Sequence, residues 1–214
     1  MTAAARLLTA AQQAPWYPAF LEPVLARVLS LPPGSRLLDV GTGPGKLLEL
    51  IATSRPDLQL VGADIDATMI QRAARRAALA HTPLIQTHPA EPLPFSNGEF
   101  DMVTLCSVLF LQPDPGVLLE EALRVLHPRG EIVVLTPTGH GNPNDVLHDL
   151  PPRRRGRVRN ATLFLWHQAT TPAGRRWQAQ LPLAADANRH HLIHHDDTVM
   201  HGLATLERLH HRRP

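Results

Sequence analysis

Arg36-Leu37-Leu38-Asp39-Val40-Gly41-Thr42-Gly43-Pro44-Gly45-Lys46 is the stretch on which the fold turns. Its first five residues form a short apolar run, which reads as a buried strand. A glycine cluster follows, and from Lys46 to Thr53 the apolar residues fall at helical spacing. Glycines between a strand and a helix let the backbone turn tightly and approach a ligand closely. Their spacing restricts which ligand. A dinucleotide fingerprint runs G-x-G-x-x-G. Here the glycines fall at positions 1, 3 and 5, and Lys46 takes position 6. A phosphate loop needs G-x-x-x-x-G-K-[ST]. Gly41 and Lys46 stand one residue too close for that, and Leu47 replaces the hydroxyl. Asp39 adds a carboxylate at the strand end, which suits an ammonium better than a polyphosphate.

Outward from this loop, strand and helix patterns alternate. Strands are expected at 59–64, 84–87, 101–106 and 131–136. Helices are expected at 67–80 and 116–126. That rhythm predicts an α/β fold with a parallel sheet covered by helices on both faces. Before it, Trp16, Tyr17, Phe20, Val24 and Leu25 are spaced for one helical face, ended by the Leu31-Pro32-Pro33-Gly34 turn. After it the rhythm breaks. Residues 140–144 read as a loop and 161–180 as a helix weakened by Pro172 and Gly174. Two further strands, 189–195 and 203–209, are expected to be separated by a turn at Asp196-Asp197.

The chain has 214 residues, 43% hydrophobic and 19% charged, which excludes a disordered chain and allows a sizeable core. One domain over 1–214 is expected: a lid or substrate segment at 1–34, a ligand-binding core at 35–136, and an acceptor-side segment with the last strands at 137–214. No apolar run approaches the roughly 18–20 residues of a membrane helix. Gln12, Gln13, Trp16 and Pro18 interrupt anything resembling a signal peptide, so a cytoplasmic protein is expected. The lone Cys106 forms no internal disulfide, which fits a reducing compartment. Lys46 is the only lysine. Residues 1–139 carry 10 basic and 13 acidic side chains, whereas 140–214 carry 11 and 6. The basic excess centres on Arg153–Arg159. That run reads as a solvated loop, or as a peripheral contact with an anionic membrane surface or a phosphorylated acceptor. No nucleic-acid-binding module accompanies it, so no nucleic-acid partner is expected.

Four motifs in order resemble those of the class I S-adenosylmethionine (SAM)-dependent methyltransferases, in the branch that includes ubiquinone and menaquinone biosynthesis methyltransferases. They are the Gly loop, Val61–Met69 (VGADIDATM), Ala90–Phe95 with Phe100-Asp101, and Glu120–Gly130 (EEALRVLHPRG). The resemblance implies a Rossmann-like, seven-stranded, mostly parallel sheet of order 3-2-1-4-5-7-6, with SAM as cofactor. Carried over by position, Gly41, Thr42, Gly43 and Gly45 would wrap the methionine part, and Asp39 would face its amino group. Asp64 would hold the ribose, Ile65 and Met69 would flank the adenine, and the Ala90 amide would meet its ring. Ser107 would sit near the sulfonium. This chain departs from the pattern at Pro89, where the family usually has an Asp that accepts the adenine amino group. Glu91 is a candidate to compensate.

Methyl transfer from a sulfonium is an in-line displacement whose main demand is alignment and exclusion of water. A base is needed only when the acceptor must lose a proton. His140, His167 and Tyr17 are the candidates, and the expected acceptor is a small apolar or aromatic molecule, lipid- or quinone-like among the options. Tyr17, His140 and Trp166 are expected to share one cavity. The pairs His190/His194 and His191/His195 have metal-ligand spacing only if helical, and no metal is expected. The rival readings are a catalytically silent SAM-binding partner and a NAD(P)-dependent reductase.

Overall fold

The computed structural model describes residues 10–89, 91–150 and 157–212, with the backbone alone at 157–159. Seven strands make one sheet: β1 (Arg36–Val40), β2 (Gln59–Asp64), β3 (Leu84–Gln86), β4 (Phe100–Cys106), β5 (Leu126–Pro137), β6 (Leu192–Val199) and β7 (Ala204–His211). Their order is β3-β2-β1-β4-β5-β7-β6, as the motifs imply. The first five strands are parallel, and β7 runs antiparallel between β5 and β6. The connections reverse direction between β1 and β4, which opens a crevice at the carboxyl ends of those strands.

Helices α1 (Tyr17–Val28), α2 (Lys46–Ser54), α3 (Ala67–Ala74), α4 (Pro115–Val125), α5 (Pro143–Asp149), α6 (Arg157–Gln180) and α7 (Pro182–Arg189) surround the sheet. Successive strand side chains point to opposite faces. Leu37, Met102, Val133 and Leu135 therefore pack with Phe20 and Val24 of α1 and Leu48 and Ile51 of α2. Their neighbours Leu38, Val103, Ile132 and Val134 pack with Leu119, Ala122 and Val125 of α4. Helix α6 serves both faces, placing Trp166 in the first cluster and Trp177 in the second. With both faces covered, the central strands are mostly apolar on both sides, broken by buried Asp39 in β1 and Thr104 in β4.

The segment before β1 is anchored at both ends. Trp16 packs tilted and Phe20 edge-on against Trp166, with ring centroids 5.2 and 5.1 Å apart. Trp16 Nε1 donates to Thr162 Oγ1 at 3.0 Å. At the other end, Arg55 donates to the carbonyls of Val28, Leu29 and Leu31, at and just beyond the helix terminus where carbonyls lack helical partners.

Three expectations need correction. The helix expected over 67–80 stops at Ala74, and a 3₁₀ turn covers Ala77–Leu79. The break frees Arg76, which is extended, to reach the Gly loop. Asp196 and Asp197 do not form a turn. They lie within β6, opposite Glu207 and Leu206, and the chain reverses at Met200–Gly202, where all three residues have positive φ. The loop expected at 140–144 gives way at Pro143 to α5, because Asn142 caps the Asn144 amide at 3.0 Å and proline is preset for a first helical position. None of the described helices is long and apolar enough to cross a membrane.

Candidate functional site

A cavity of about 360 Å³ fills the crevice. Five segments build its wall. Gln12 and Tyr17 come from the segment before β1, and Gly41, Gly43 and Pro44 from the loop after it. Asp64, Ile65, Asp66 and Met69 follow β2. His88, Pro89, Glu91 and Leu93 follow β3. Cys106, Ser107, Val108, Leu111, Gln112, Asp114, Val117, Leu118 and Glu121 run from the end of β4 into α4. The volume is that of a small-molecule site.

The loop's glycines divide the work. Gly43 has φ +56° and faces the cavity; a Cβ there would lie 3.0 Å from Gln12 Nε2. Its amide donates to Asp64 Oδ2 at 2.8 Å, while Asp64 Oδ1 accepts the Asp66 amide at 2.9 Å. Each carboxylate oxygen thus keeps a further lone pair for a ligand hydroxyl. Gly45 has φ +77° and starts α2, but it faces the protein: a Cβ would meet Leu79 Cδ1 at 2.8 Å and Ala73 Cβ at 2.9 Å. Arg76 holds the loop from outside, donating through Nε to the Pro44 carbonyl and through its terminal nitrogen to Glu49 Oε2 at 2.6 Å. Lys46 Nζ binds the same Glu49 oxygen at 2.8 Å, so the loop's one lysine is committed to the scaffold.

Across the cavity, the segment after β3 is stapled to α4. Glu121 accepts the Leu93 amide at 2.7 Å. Arg124 pairs with Glu121 at 2.8 Å and donates to the carbonyls of Leu93 and Phe95. This pair is the physical content of the E-x-x-R spacing in the fourth motif.

Charge in the cavity has one sign. Asp64, Asp66, Glu91, Asp114 and Glu121 line it beside His88, and no lysine or arginine does among the described residues. Asp39 lies behind the wall, 2% exposed, and accepts from Thr104 Oγ1 at 2.7 Å. Burial pushes its pKa up to about 6, against the Thr104 hydrogen bond. Burial likewise raises Asp64, opposed by the Asp66 and Gly43 amides. The Tyr17 hydroxyl is raised well beyond its ordinary value by burial, reinforced by Cys106 and Asp39 and opposed by the Gln12 amide. Burial raises Cys106 too, with Asp39 adding to it. Tyr17 and Cys106 therefore keep their protons at neutral pH.

Two cavity atoms are buried without a hydrogen-bond partner: Gln12 Oε1 and Ser107 Oγ. Ser107 also holds a left-handed backbone, φ 59°, which side chains other than glycine rarely adopt. Its amide donates to the Leu135 carbonyl at 2.8 Å. An unpaired buried acceptor costs roughly 1–3 kcal/mol until a ligand supplies a donor.

Of the residues singled out from the sequence, Tyr17, Gly41, Gly43, Asp64, Ile65, Met69, Glu91 and Ser107 meet at this cavity. Asp39 and Thr42 are buried and do not line it, and Gly45 is turned away. Ala90 lies outside the described residues, as do Arg153, Arg154 and Arg155 and the side chains of Arg157 and Arg159. His140 and His167 are not on the cavity wall. Partial burial lowers the His167 pKa, with Arg175 and His140 adding to the effect. Trp166 is 1% exposed within the core, so the expected grouping of Tyr17, His140 and Trp166 at one cavity is not what the fold builds. Sequence reasoning passed over Gln12, Cys106, His88, Gln112 and Asp114. Cys106 was legible as the last residue of β4 and Asp114 as a helix cap before Pro115; Gln12, His88 and Gln112 carry no local signal. No group of three metal-ligating side chains occurs among the described residues. His194 pairs with Glu207 at 3.2 Å, and His195 stacks on His210 at 5.5 Å.

Residues 38–134 match a family model described as a methyltransferase domain. Among curated proteins, an uncharacterized protein of Mycobacterium tuberculosis is 30% identical over 135 residues, 63% of this chain and 48% of that protein. A ubiquinone/menaquinone biosynthesis C-methyltransferase of Geotalea daltonii is 32% identical over 107 residues, 48% of this chain and 46% of the enzyme. The 27-O-demethylrifamycin SV methyltransferase of Amycolatopsis mediterranei is 33% identical, covering 51% of this chain and 41% of the enzyme. The matches thus span about half the length of these relatives. A crystal structure of a SAM-dependent methyltransferase from Aquifex aeolicus superposes with a TM-score of 0.61 at 16% identity, covering 88% of this chain and 87% of that one. At that identity the likeness concerns the fold.

Proposed function

We propose that this chain, whose residues 38–134 match a methyltransferase domain, transfers a methyl group from SAM to a small, apolar or aromatic acceptor. The carrying observation is the charge of the cavity over the Gly loop. Its wall holds five carboxylates and no lysine or arginine among the described residues. A ligand bearing a sulfonium and an ammonium gains from that field, and a dinucleotide pyrophosphate is repelled by it. The reductase reading loses its support on the same ground.

SAM supplies, when bound, a methyl group already activated on sulfur. Around it, the backbone at Gly41 and Gly43 would approach the methionine part, and Asp64 would accept the ribose hydroxyls with its remaining lone pairs. Ile65 and Met69 would flank the adenine, and Ser107 Oγ would gain the partner it lacks. Tyr17, protonated and buried, acts as a hydrogen-bond donor at the wall and not as a base. No histidine base reaches the cavity from α6 or from the loop after β5. His88, on the segment after β3, is the one histidine on the wall among the described residues; apart from it the protein's contribution is alignment and exclusion of water. Leu111 and Val117 are large apolar side chains, each more than half exposed, along the same cavity. They favour an apolar acceptor, as do relatives named for quinone and rifamycin methylation.

Incubation with methyl-labelled SAM and a cell extract separated into small-molecule, protein and nucleic-acid fractions tests this. Label is expected in an organic-soluble small molecule. Label in a macromolecular fraction would contradict the acceptor class. Tight SAM binding with no label transferred to any fraction would favour a silent binding protein.

A further inference from the structure

Outside the cavity, the carboxyl end of β5 carries a cluster of basic side chains that methyl transfer does not use. The turn of α6 from Thr171 to Arg175 packs directly on the chain that leaves β5. Glycines on both sides permit the approach. A Cβ on Gly139 would lie 2.6 Å from the Thr171 carbonyl oxygen and 2.9 Å from Arg175 Cγ, and one on Gly174 would lie 3.0 Å from the Gly139 nitrogen. Arg175 Nε donates to the Gly139 carbonyl at 3.1 Å, which holds the guanidinium at the loop that carries His140. The His140 amide is fixed in turn, donating to Thr138 Oγ1 at 2.9 Å. His167, Thr171 and Arg175 follow one another at four-residue spacing on α6 and share one face.

No acid neutralises this cluster. None of the ion pairs among the described residues includes His140, His167 or Arg175. The rest of the sequence holds no aspartate or glutamate. Helix α5 also packs on α6, but its Asp149 is taken by His201 and His148. Burial, then Arg175, then His140 keeps the His167 imidazole below its ordinary pKa, and neither Asp145 nor Asp149 of α5 offsets them.

We propose that His140, His167 and Arg175 bind a phosphate group at the carboxyl edge of the sheet, outside the acidic cavity. The place is one strand along from β4, whose terminus bounds that cavity. A guanidinium fork alone satisfies the two oxygens of a carboxylate. Donors from three side chains, two on the helix and one on the facing loop, suit the three terminal oxygens of a phosphate. The carboxylates of the cavity repel the same group, so it is held beside the cavity and not in it. This inference does not rest on the SAM reading.

Titration of the purified chain with inorganic phosphate, at an ionic strength held constant with chloride, tests it. The imidazole signals are followed by NMR, with His140→Gln and His167→Gln assigning their own resonances. Phosphate is expected to bind saturably and to raise the His167 pKa, because it offsets the two positive neighbours. Arg175→Gln should weaken phosphate roughly ten- to a hundredfold, the loss of a charge-assisted contact. Arg176→Gln removes the same charge one position round the helix, and should leave the affinity within about twofold. Thermal unfolding of each variant controls for folding. Since Arg175 also braces Gly139, His167→Gln serves as the second variant: it should weaken phosphate with that brace intact. Phenyl phosphate binding more tightly than inorganic phosphate would assign the site to the ester of a small molecule, and equal affinities to free phosphate; either result supports the site. No saturable binding, a His167 titration that phosphate does not move, or equal weakening by Arg175→Gln and Arg176→Gln would overturn it.

Discussion

At the scale of single residues, the cavity depends on groups placed where their ordinary chemistry is strained. Ser107 holds a left-handed backbone with an unpaired hydroxyl, and Asp39 is a carboxylate taken almost wholly out of water. Asp39 gives a pH-dependent expectation with a definite sign. Its pKa rises from 3.8 to about 6 on folding, so the folded state binds its proton more tightly than the unfolded chain does. The stability this provides is fully present below pH 4 and is lost as pH rises through 6. The shift corresponds to about 3 kcal/mol. Asp39→Asn should therefore gain on the wild type by up to that order between pH 4 and pH 7 in chemical denaturation. A stability difference that stays flat over the range would mean that the Asp39 pKa is not raised. The sequence placed Asp39 at a strand end and left its burial open, because β4, which pairs with β1 there and brings Thr104 to Asp39, comes from 65 residues away.

At the scale of elements, the Gly loop shows what spacing reveals and what it hides. The alternation of glycines marks a tight strand-to-helix turn, and all three have positive φ. Spacing alone does not say which of them faces a ligand. Gly43 faces the cavity and Gly45 faces Ala73 and Leu79, so the two should respond oppositely to alanine. Gly45→Ala combines a left-handed backbone with overlap against a packed helix, and should lower stability on the order of 2–4 kcal/mol. Gly43→Ala carries the same left-handed backbone strain, about 1–2 kcal/mol, but meets only the movable end of Gln12. Its main effect should be on S-adenosylhomocysteine affinity, reduced at least tenfold, roughly 1.4 kcal/mol or more. Thermal unfolding and calorimetry on both variants check the pair; a Gly43→Ala variant that binds normally would reduce the loop to a structural turn. The strands up to β5 were legible from their apolar runs. The break in the helix expected over 67–80 was not, because it serves a long-range hydrogen bond from Arg76 to the Pro44 carbonyl. Nor was the reversal at Met200–Gly202, since Asp196-Asp197 carries the stronger local turn chemistry.

Over the whole molecule, the observed sheet order is the one that the resemblance carried by four motifs implies, and the crevice follows from the sheet order. What the motifs leave open is how the two flanks close over it. Helix α1 and helix α6 meet through Trp16, Phe20 and Trp166, an aromatic contact that could equally have lined an acceptor pocket. The fold buries these rings, and His140 and His167 end up away from the cavity for the same reason. On the proposed function, this cavity, acidic and built over a Gly loop, takes SAM. Calorimetric titration of the purified chain with S-adenosylhomocysteine, and separately with NAD and NADP, tests it most directly. Binding of S-adenosylhomocysteine at one site per chain, with a dissociation constant on the order of micromolar, about −8 kcal/mol, and no heat from either dinucleotide is the predicted result. Saturable binding of NAD or NADP with none of S-adenosylhomocysteine would contradict it.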